Sequence, residues 1–284
     1  RRRAARRRLA SNRLHEPSRL APARAAWRRL YDARPGGYRG TSLCRPVAAP
    51  RAWRELAGGG PSDPSHFAMR YENVYLEAIA YRLPEEIVSS AEIERRLAPL
   101  YERLRLPEGR LELMTGIAER RFWPPGTPPS RISAQAAAEA IERSGVPREA
   151  IGALVHGSVC RDYLEPATAC EQLGLPRRCL LYDVSDACLG LLVGMVQVAN
   201  MIELGQIRAG VVVGTESSRS LVETTIEYLN THAELTREAI KPALASLTIG
   251  SGSAAIVLVD RSLSRRGHRL LGGAARAETA QCHL

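Results

Sequence analysis

The chain has 284 residues and carries 40 basic against 30 acidic side chains, a net charge of +10. The excess is all at the front: residues 1–68 hold 16 Arg and four acids, whereas residues 69–284 hold 24 basic and 26 acidic residues. The body is therefore close to neutral, which argues against a nucleic-acid-binding domain as its main function. Six scattered cysteines (44, 160, 170, 179, 188, 282) exclude a disulfide scaffold, and no Cys/His spacing suits zinc, so no metal is expected. The longest apolar run, Ala187 to Ile202, falls short of the ~20 residues that span a bilayer. A reduced, cytoplasmic protein without a membrane partner is the expectation.

Residues 1–68 are rich in Arg, Ala, Pro and Gly, with few aliphatic residues at a helical or strand period. A nucleic-acid-binding arm, a transit peptide and translation upstream of the true start are three readings of such a stretch. Arg outnumbers Lys 39 to 1 over the whole chain, as GC-rich coding gives, and patterning begins at Met69. The expectation is a disordered or upstream-translated segment over 1–68 and a folded domain over 69–277, with a further short piece at 278–284.

From Met69 the elements follow quickly. Alternation over Val74 to Tyr81 predicts a strand. A helix is predicted from Ser90, as N-cap, to about Tyr101, with Glu92 and Glu94 in its first turn. Thr115 to Trp123 reads as a turn into a short strand, Ser133 to Arg143 as an Ala-rich helix, and Ile151 to Gly157 as a buried strand. A polar loop follows, then a helix carrying Ala169 and Leu173 that stops at Gly174-Leu-Pro176.

The stretch 179–216 then repeats the pattern of a strand–helix–strand crossover, with a 17-residue helical segment between two short β-branched runs. Beyond it, Leu221 to Leu229 and Arg237 to Leu244 are predicted helices. Thr248 to Val259 leads through glycines into a strand, and Arg269 to Arg276 is a last strand. Alternating strands and helices indicate an α/β fold with a mostly parallel sheet.

Two features of the crossover point to chemistry. Cys188 lies where the first strand meets the helix, so its sulfur would face unpaired backbone N–H groups and the positive end of the helix dipole. That setting favours a thiolate nucleophile, while the alternative is one more small core residue. The helix after Cys188 is apolar all the way round, which requires burial on every side. Gly190 and Gly194, one turn apart, offer a ridge for close approach of another helix. A single sheet covers only one side, so a second subunit or a further C-terminal part is expected over the other.

The junction Asp-Ala-Cys188-Leu-Gly is not the GxSxG elbow of α/β-hydrolases, and Gly250-Ser-Gly252-Ser precedes a strand rather than a helix, unlike a dinucleotide fingerprint. Asp183-Val-Ser-Asp-Ala-Cys188-Leu-Gly, with Thr115-Gly-Ile-Ala-Glu-Arg upstream and Val211-Val-Val-Gly-Thr-Glu216 and Ile249-Gly-Ser-Gly-Ser-Ala-Ala-Ile downstream, resembles the β-ketoacyl-acyl-carrier-protein synthase III family of the thiolase superfamily. The order and spacing run over residues 69–277. The segment Ser158-Val-Cys-Arg-Asp-Tyr-Leu-Glu165-Pro-Ala-Thr is similar to the acyl-CoA condensing enzymes of bacterial olefin biosynthesis, including a glutamate that type III synthases generally lack.

The resemblance implies the N-terminal half of a thiolase-like α/β fold, a five-stranded mixed sheet with a buried central helix, in a homodimer whose central helices stack back to back. It implies that Cys188 takes an acyl group from acyl-CoA or acyl carrier protein, and that a second acyl thioester attacks it in a Claisen condensation, with no cofactor. Glu165 matches the glutamate that removes the second chain's α-proton across the dimer, a base that burial would strengthen; the alternative is a solvated loop carboxylate. Its presence favours non-decarboxylative condensation. The family's histidine, asparagine and oxyanion-hole glycine from the second half match nothing in this chain: His283 lies too early, and His232 and His156 occupy no family position. His156, on an apolar strand, reads as structural. Without those groups, acylation of Cys188 is the most this chain is expected to achieve, and a half-length acyl-binding or partner-pairing protein is the alternative.

Overall fold

The structure, a computed structural model, describes residues 67–165, 167–168, 173–275 and 277. The segment read as upstream-translated lies outside them up to residue 66, as do Ala169 of the helix expected before Gly174 and the piece at 278–284.

In chain order, β1 (Phe67–Arg70), β2 (Val74–Arg82) and β3 (Glu86–Ser89) lead into three short helices, α1 (Ser90–Arg96), α2 (Ala98–Leu104) and α3 (Arg110–Thr115). Then come β4 (Glu119–Phe122), α4 (Pro129–Ser144), β5 (Ile151–Gly157), β6 (Leu180–Val184), α5 (Gly190–Glu203) and β7 (Ala209–Glu216). The described chain closes with α6 (Arg219–Thr231), α7 (Ala243–Ser246), β8 (Gly252–Asp260) and β9 (Gly272–Ala275).

The central sheet has five strands in the order β2-β8-β7-β5-β6. Strands β7, β5 and β6 are parallel, and β8 is antiparallel to both β7 and β2, so the sheet is mixed rather than mostly parallel. Valine alternation on β7 divides the core. Val211 and Val213 face α4 with its Ala134, Ala137 and Ala140, and Val212 faces α5 with its Val198, Ala199 and Ile202. A satellite core gathers α1, α2, α3 and the antiparallel β3–β4 pair against α6 around Leu100, Phe122 and Leu229.

Several local expectations are corrected. Ser89, not Ser90, caps the first helix, its Oγ accepting the Glu92 N–H at 3.0 Å. Ser90 instead donates to the Ile117 carbonyl. The helix breaks at Leu97, because Pro99 cannot continue the hydrogen-bond ladder but suits the first turn of a new helix. Arg237 to Leu244 is not a helix; only α7 forms there, and Arg237 donates instead to the carbonyls of Leu104 and Arg105 at the end of α2.

The central helix α5 is buried on one side only. Gly190, Gly194, Val198, Ala199 and Ile202 are covered, while Leu192 is 51% exposed. Its glycines face the sheet rather than a second helix. A Cβ on Gly194 would stand 2.8 Å from Val212 Cγ1 and 3.1 Å from Val155 Cγ1. Two rows of valine already fill that face of the sheet, so the helix can lie on it only where it has no side chain of its own.

Candidate active site

Because β5, β6 and β7 are parallel neighbours, the loops after all three leave from one edge of the sheet. The chain passes from β5 to β6 on one side and from β7 to β8 on the other. That edge above β5 and β7 is where ligands usually bind in an open α/β sheet. Cys188 and the 158–168 loop both belong to this edge.

Cys188 is exposed, on the turn between β6 and α5. The turn is tight: the Leu189 N–H donates to the Asp186 carbonyl at 2.8 Å, and Ala187 adopts a left-handed φ of 43°. For a residue with a Cβ that conformation stores strain just before the thiol. Leu189, the N-cap of α5, has no side-chain acceptor to offer, so no side chain caps the first-turn N–H groups next to the sulfur.

Three glycines let this turn settle onto the sheet. A Cβ on Gly157 would lie 2.8 Å from the Leu191 nitrogen and closer still to the Gly190 carbonyl, and one on Gly214 would lie 2.7 Å from the Gly157 oxygen. These neighbours are backbone and cannot swing aside, so backbone contact alone fixes the height of Cys188 above the sheet.

Glu165 is exposed, in the sequence Tyr163-Leu164-Glu165 at the projecting part of its loop, where Leu164 is 91% exposed. Among the described residues no hydrogen bond joins Glu165 to Cys188, and the Glu165 side chain is not buried.

The roots of the same loop are held firmly. Glu216, ending β7, accepts the Val159 N–H at 2.9 Å on one oxygen and the Cys160 N–H at 3.3 Å on the other. Ser158 Oγ accepts the Thr215 N–H at 2.7 Å, and Asp162 accepts the Ser130 N–H at the start of α4. At the far root, Asp183 on β6 accepts both the N–H (3.0 Å) and the hydroxyl (3.1 Å) of Thr168. Sequence reasoning gave Asp183 and Glu216 no role beyond their place in a motif. The available signal was a carboxylate ending an apolar strand, where neither packing nor the ladder needs one.

His156 lies beneath this network, fully buried on β5, as the structural reading expects. Its Nδ1 is 3.7 Å from an Asp183 oxygen, and among the described residues neither ring nitrogen has a hydrogen-bond partner. Burial lowers its proton affinity, against the opposing pull of Asp183, Glu216 and Asp162, so the ring is neutral. Burial likewise pushes the Cys160 thiol up, and that sulfur exchanges hydrogen bonds with the Ser217 backbone. No helix among the described residues is long and apolar enough to cross a membrane.

Residues 114–246, which carry the β5–β6–α5–β7 unit and Cys188, match the thiolase N-terminal domain. An acyl-CoA:acyl-CoA alkyltransferase of Shewanella oneidensis is 47% identical over 210 residues, 72% of this chain and 60% of that protein. The chain is similar to the thiolase superfamily. A second acyl-CoA:acyl-CoA alkyltransferase, from Xanthomonas campestris, is 36% identical over 74% of this chain and 63% of its own length. Among solved structures of thiolase-superfamily proteins, a Xanthomonas campestris OleA variant with cerulenin superposes with a TM-score of 0.70 at 35% identity. The match covers 75% of this chain and 65% of that one. A further variant of that OleA, with bound lauric acid and lauroyl-CoA, gives a TM-score of 0.64 at 35% identity over 68% of this chain and 58% of that one. The chain thus spans about three fifths of the length of these relatives.

Proposed function

We propose that this chain carries the acyl-accepting half of a condensing acyltransferase that joins two long-chain acyl thioesters, with Cys188 as nucleophile and Glu165 as base. The observation that carries the proposal is the setting of Cys188: an exposed thiol on a strained turn, beside first-turn N–H groups that no side chain caps, at the edge where the sheet opens. In the first step the Cys188 thiolate attacks the acyl carbonyl of an acyl-CoA or acyl carrier protein. The carbon–sulfur bond to the carrier breaks, and the carrier thiol leaves with the proton that Cys188 gave up. The helix N–H groups stabilise the negative charge that develops during attack. In the second step a base removes the α-proton of another acyl thioester, and the resulting carbanion displaces Cys188 from its acyl group.

Glu165 suits the second step because it is exposed and, among the described residues, has no hydrogen-bond partner, which leaves it available to a neighbouring site. A homodimer, or a second αβ half, would bury it and would also cover the open face of α5. The relatives named acyl-CoA:acyl-CoA alkyltransferase and the OleA variant with bound lauroyl-CoA support long-chain acyl-CoA as the substrate class.

The first step is tested by intact-mass measurement after incubation with lauroyl-CoA. One lauroyl group should appear on the protein, be released by hydroxylamine, and be lost in Cys188→Ala but kept in Cys160→Ala. A persistent adduct in Cys188→Ala would remove the assignment.

A further inference from the structure

The loop between β5 and β6 emerges from a buried strand, so its first N–H groups need acceptors that no neighbouring strand supplies. Those acceptors are charged side chains. Glu216 spends one oxygen on each of two successive N–H groups, and Asp183 closes on both donors of Thr168, with Arg161 Nε 3.9 Å away. Charge-assisted bonds of this type are the stronger class, and here they sit at both roots of one loop. Between the roots, Tyr163, Leu164 and Glu165 project into solvent. Asp183 also lies on the strand that delivers Cys188, five residues ahead of it, so one strand sets the register of both loops.

We propose that Asp183 and Glu216 are positioning residues: each grips one root of the 158–168 loop and so fixes where Glu165 is presented. The inference rests on the condensing role given to Glu165 above. Neither carboxylate is itself a base in the reaction, because its oxygens are already occupied by loop donors. Their loss leaves Cys188 on its own glycine-supported turn and able to take an acyl group, but lets the loop wander, so that the step served by Glu165 fails.

The test compares Glu216→Ala, Glu216→Gln and Asp183→Asn with the unaltered chain by amide exchange, Cys188 acylation from lauroyl-CoA and formation of condensed product. Exchange at residues 159 and 160 should quicken about tenfold or more in Glu216→Ala, less in Glu216→Gln, and similarly at 168 in Asp183→Asn, with α5 and β7 unchanged. Acylation should stay within about threefold while condensation falls by about tenfold or more. Adding Glu165→Gln to Glu216→Ala should reduce condensation no further than Glu165→Gln alone, a coupling that general destabilisation would not produce. Unchanged loop exchange, acylation falling in step with condensation, or multiplicative losses in the double variant would each overturn the proposal. If the unaltered chain acylates but forms no condensed product, as its lack of the family's histidine and asparagine leads one to expect, amide exchange alone decides whether the two carboxylates hold the loop.

Discussion

His156 lies far from water. Its ring is fully buried, both nitrogens lack hydrogen bonds among the described residues, and burial outweighs the pull of Asp183, Glu216 and Asp162, with Arg161 opposing protonation as well. A histidine whose proton affinity falls on folding stays neutral in the native state while the unfolded chain takes up a proton near pH 6.5. Its contribution is therefore fully present above pH 6.5 and is lost as pH falls toward the lower native value. Unfolding by urea should show stability declining from pH 7 to pH 5.5, by at most about 1.4 kcal/mol per pH unit from this group. The decline should be shallower in His156→Asn. Equal slopes in the two proteins would mean the imidazole is solvated or paired after all. Ala187, at the other end of the site, makes a separate prediction. A β-branched side chain fits its left-handed φ worse than alanine does, so Ala187→Val should cost about 1–3 kcal/mol and slow acylation of Cys188. A melting temperature and an acylation rate both matching the parent would show that the turn is not strained.

At the level of elements, the contact between β5 and α5 matters most, since backbone meets backbone there. Gly157→Ala would push a methyl group into the Gly190 carbonyl, lift the start of α5 and displace Cys188. The expected loss is about 1–3 kcal/mol or more, as for overpacked cores, together with acylation. Gly205→Ala, in open space at the far end of the helix though at a left-handed φ, should leave acylation intact. Loss of acylation in both would point to the helix as a whole rather than to its seat. This contact also explains which parts of the fold were legible in the sequence. β5, β7 and β8 are continuous β-branched or small apolar runs, and α4 has a clear apolar stripe, so period and composition reveal them. Strands β1 and β3 have four residues each and depend on distant partners, β1 on β9 and β3 on β4, so no local period betrays them, whereas β9 falls inside the last strand expected over Arg269 to Arg276. The same holds within the site. Cys188 announces itself at a strand–helix junction. Asp183 and Glu216 act through loop N–H groups 15 and 57 residues away in sequence, a relation that exists only once the sheet has formed.

For the whole molecule, the open face of α5 and of the sheet beside it sets the behaviour in solution. Leu192 on the helix is 51% exposed, and Ile79 and Tyr81 on β2 are 50% and 61% exposed. Ile79 pairs in register with Ile256, which packs under α5, so Ile79 shares the helix-bearing side of the sheet. Apolar groups spread across one side of a three-layer fold behave as an interface waiting for a cover. The reading that another copy or αβ half covers this face has a direct consequence. Sedimentation velocity of the isolated chain should show concentration-dependent self-association, with dye binding characteristic of exposed apolar surface at the lowest concentrations. Covering the remaining half of Leu192 is worth about 1 kcal/mol, whereas forcing a carboxylate into the same contact costs several times that. Leu192→Glu should therefore weaken association by more than about tenfold. The substituted side chain reaches solvent in the lone chain, so stability should change by less than about 1 kcal/mol. A chain that stays monomeric at every concentration and binds no dye would require α5 to be covered from within, against its exposed flank. Equal association of Leu192→Glu and the parent would place the interface on another surface, and Glu165 would then have to find its burial there.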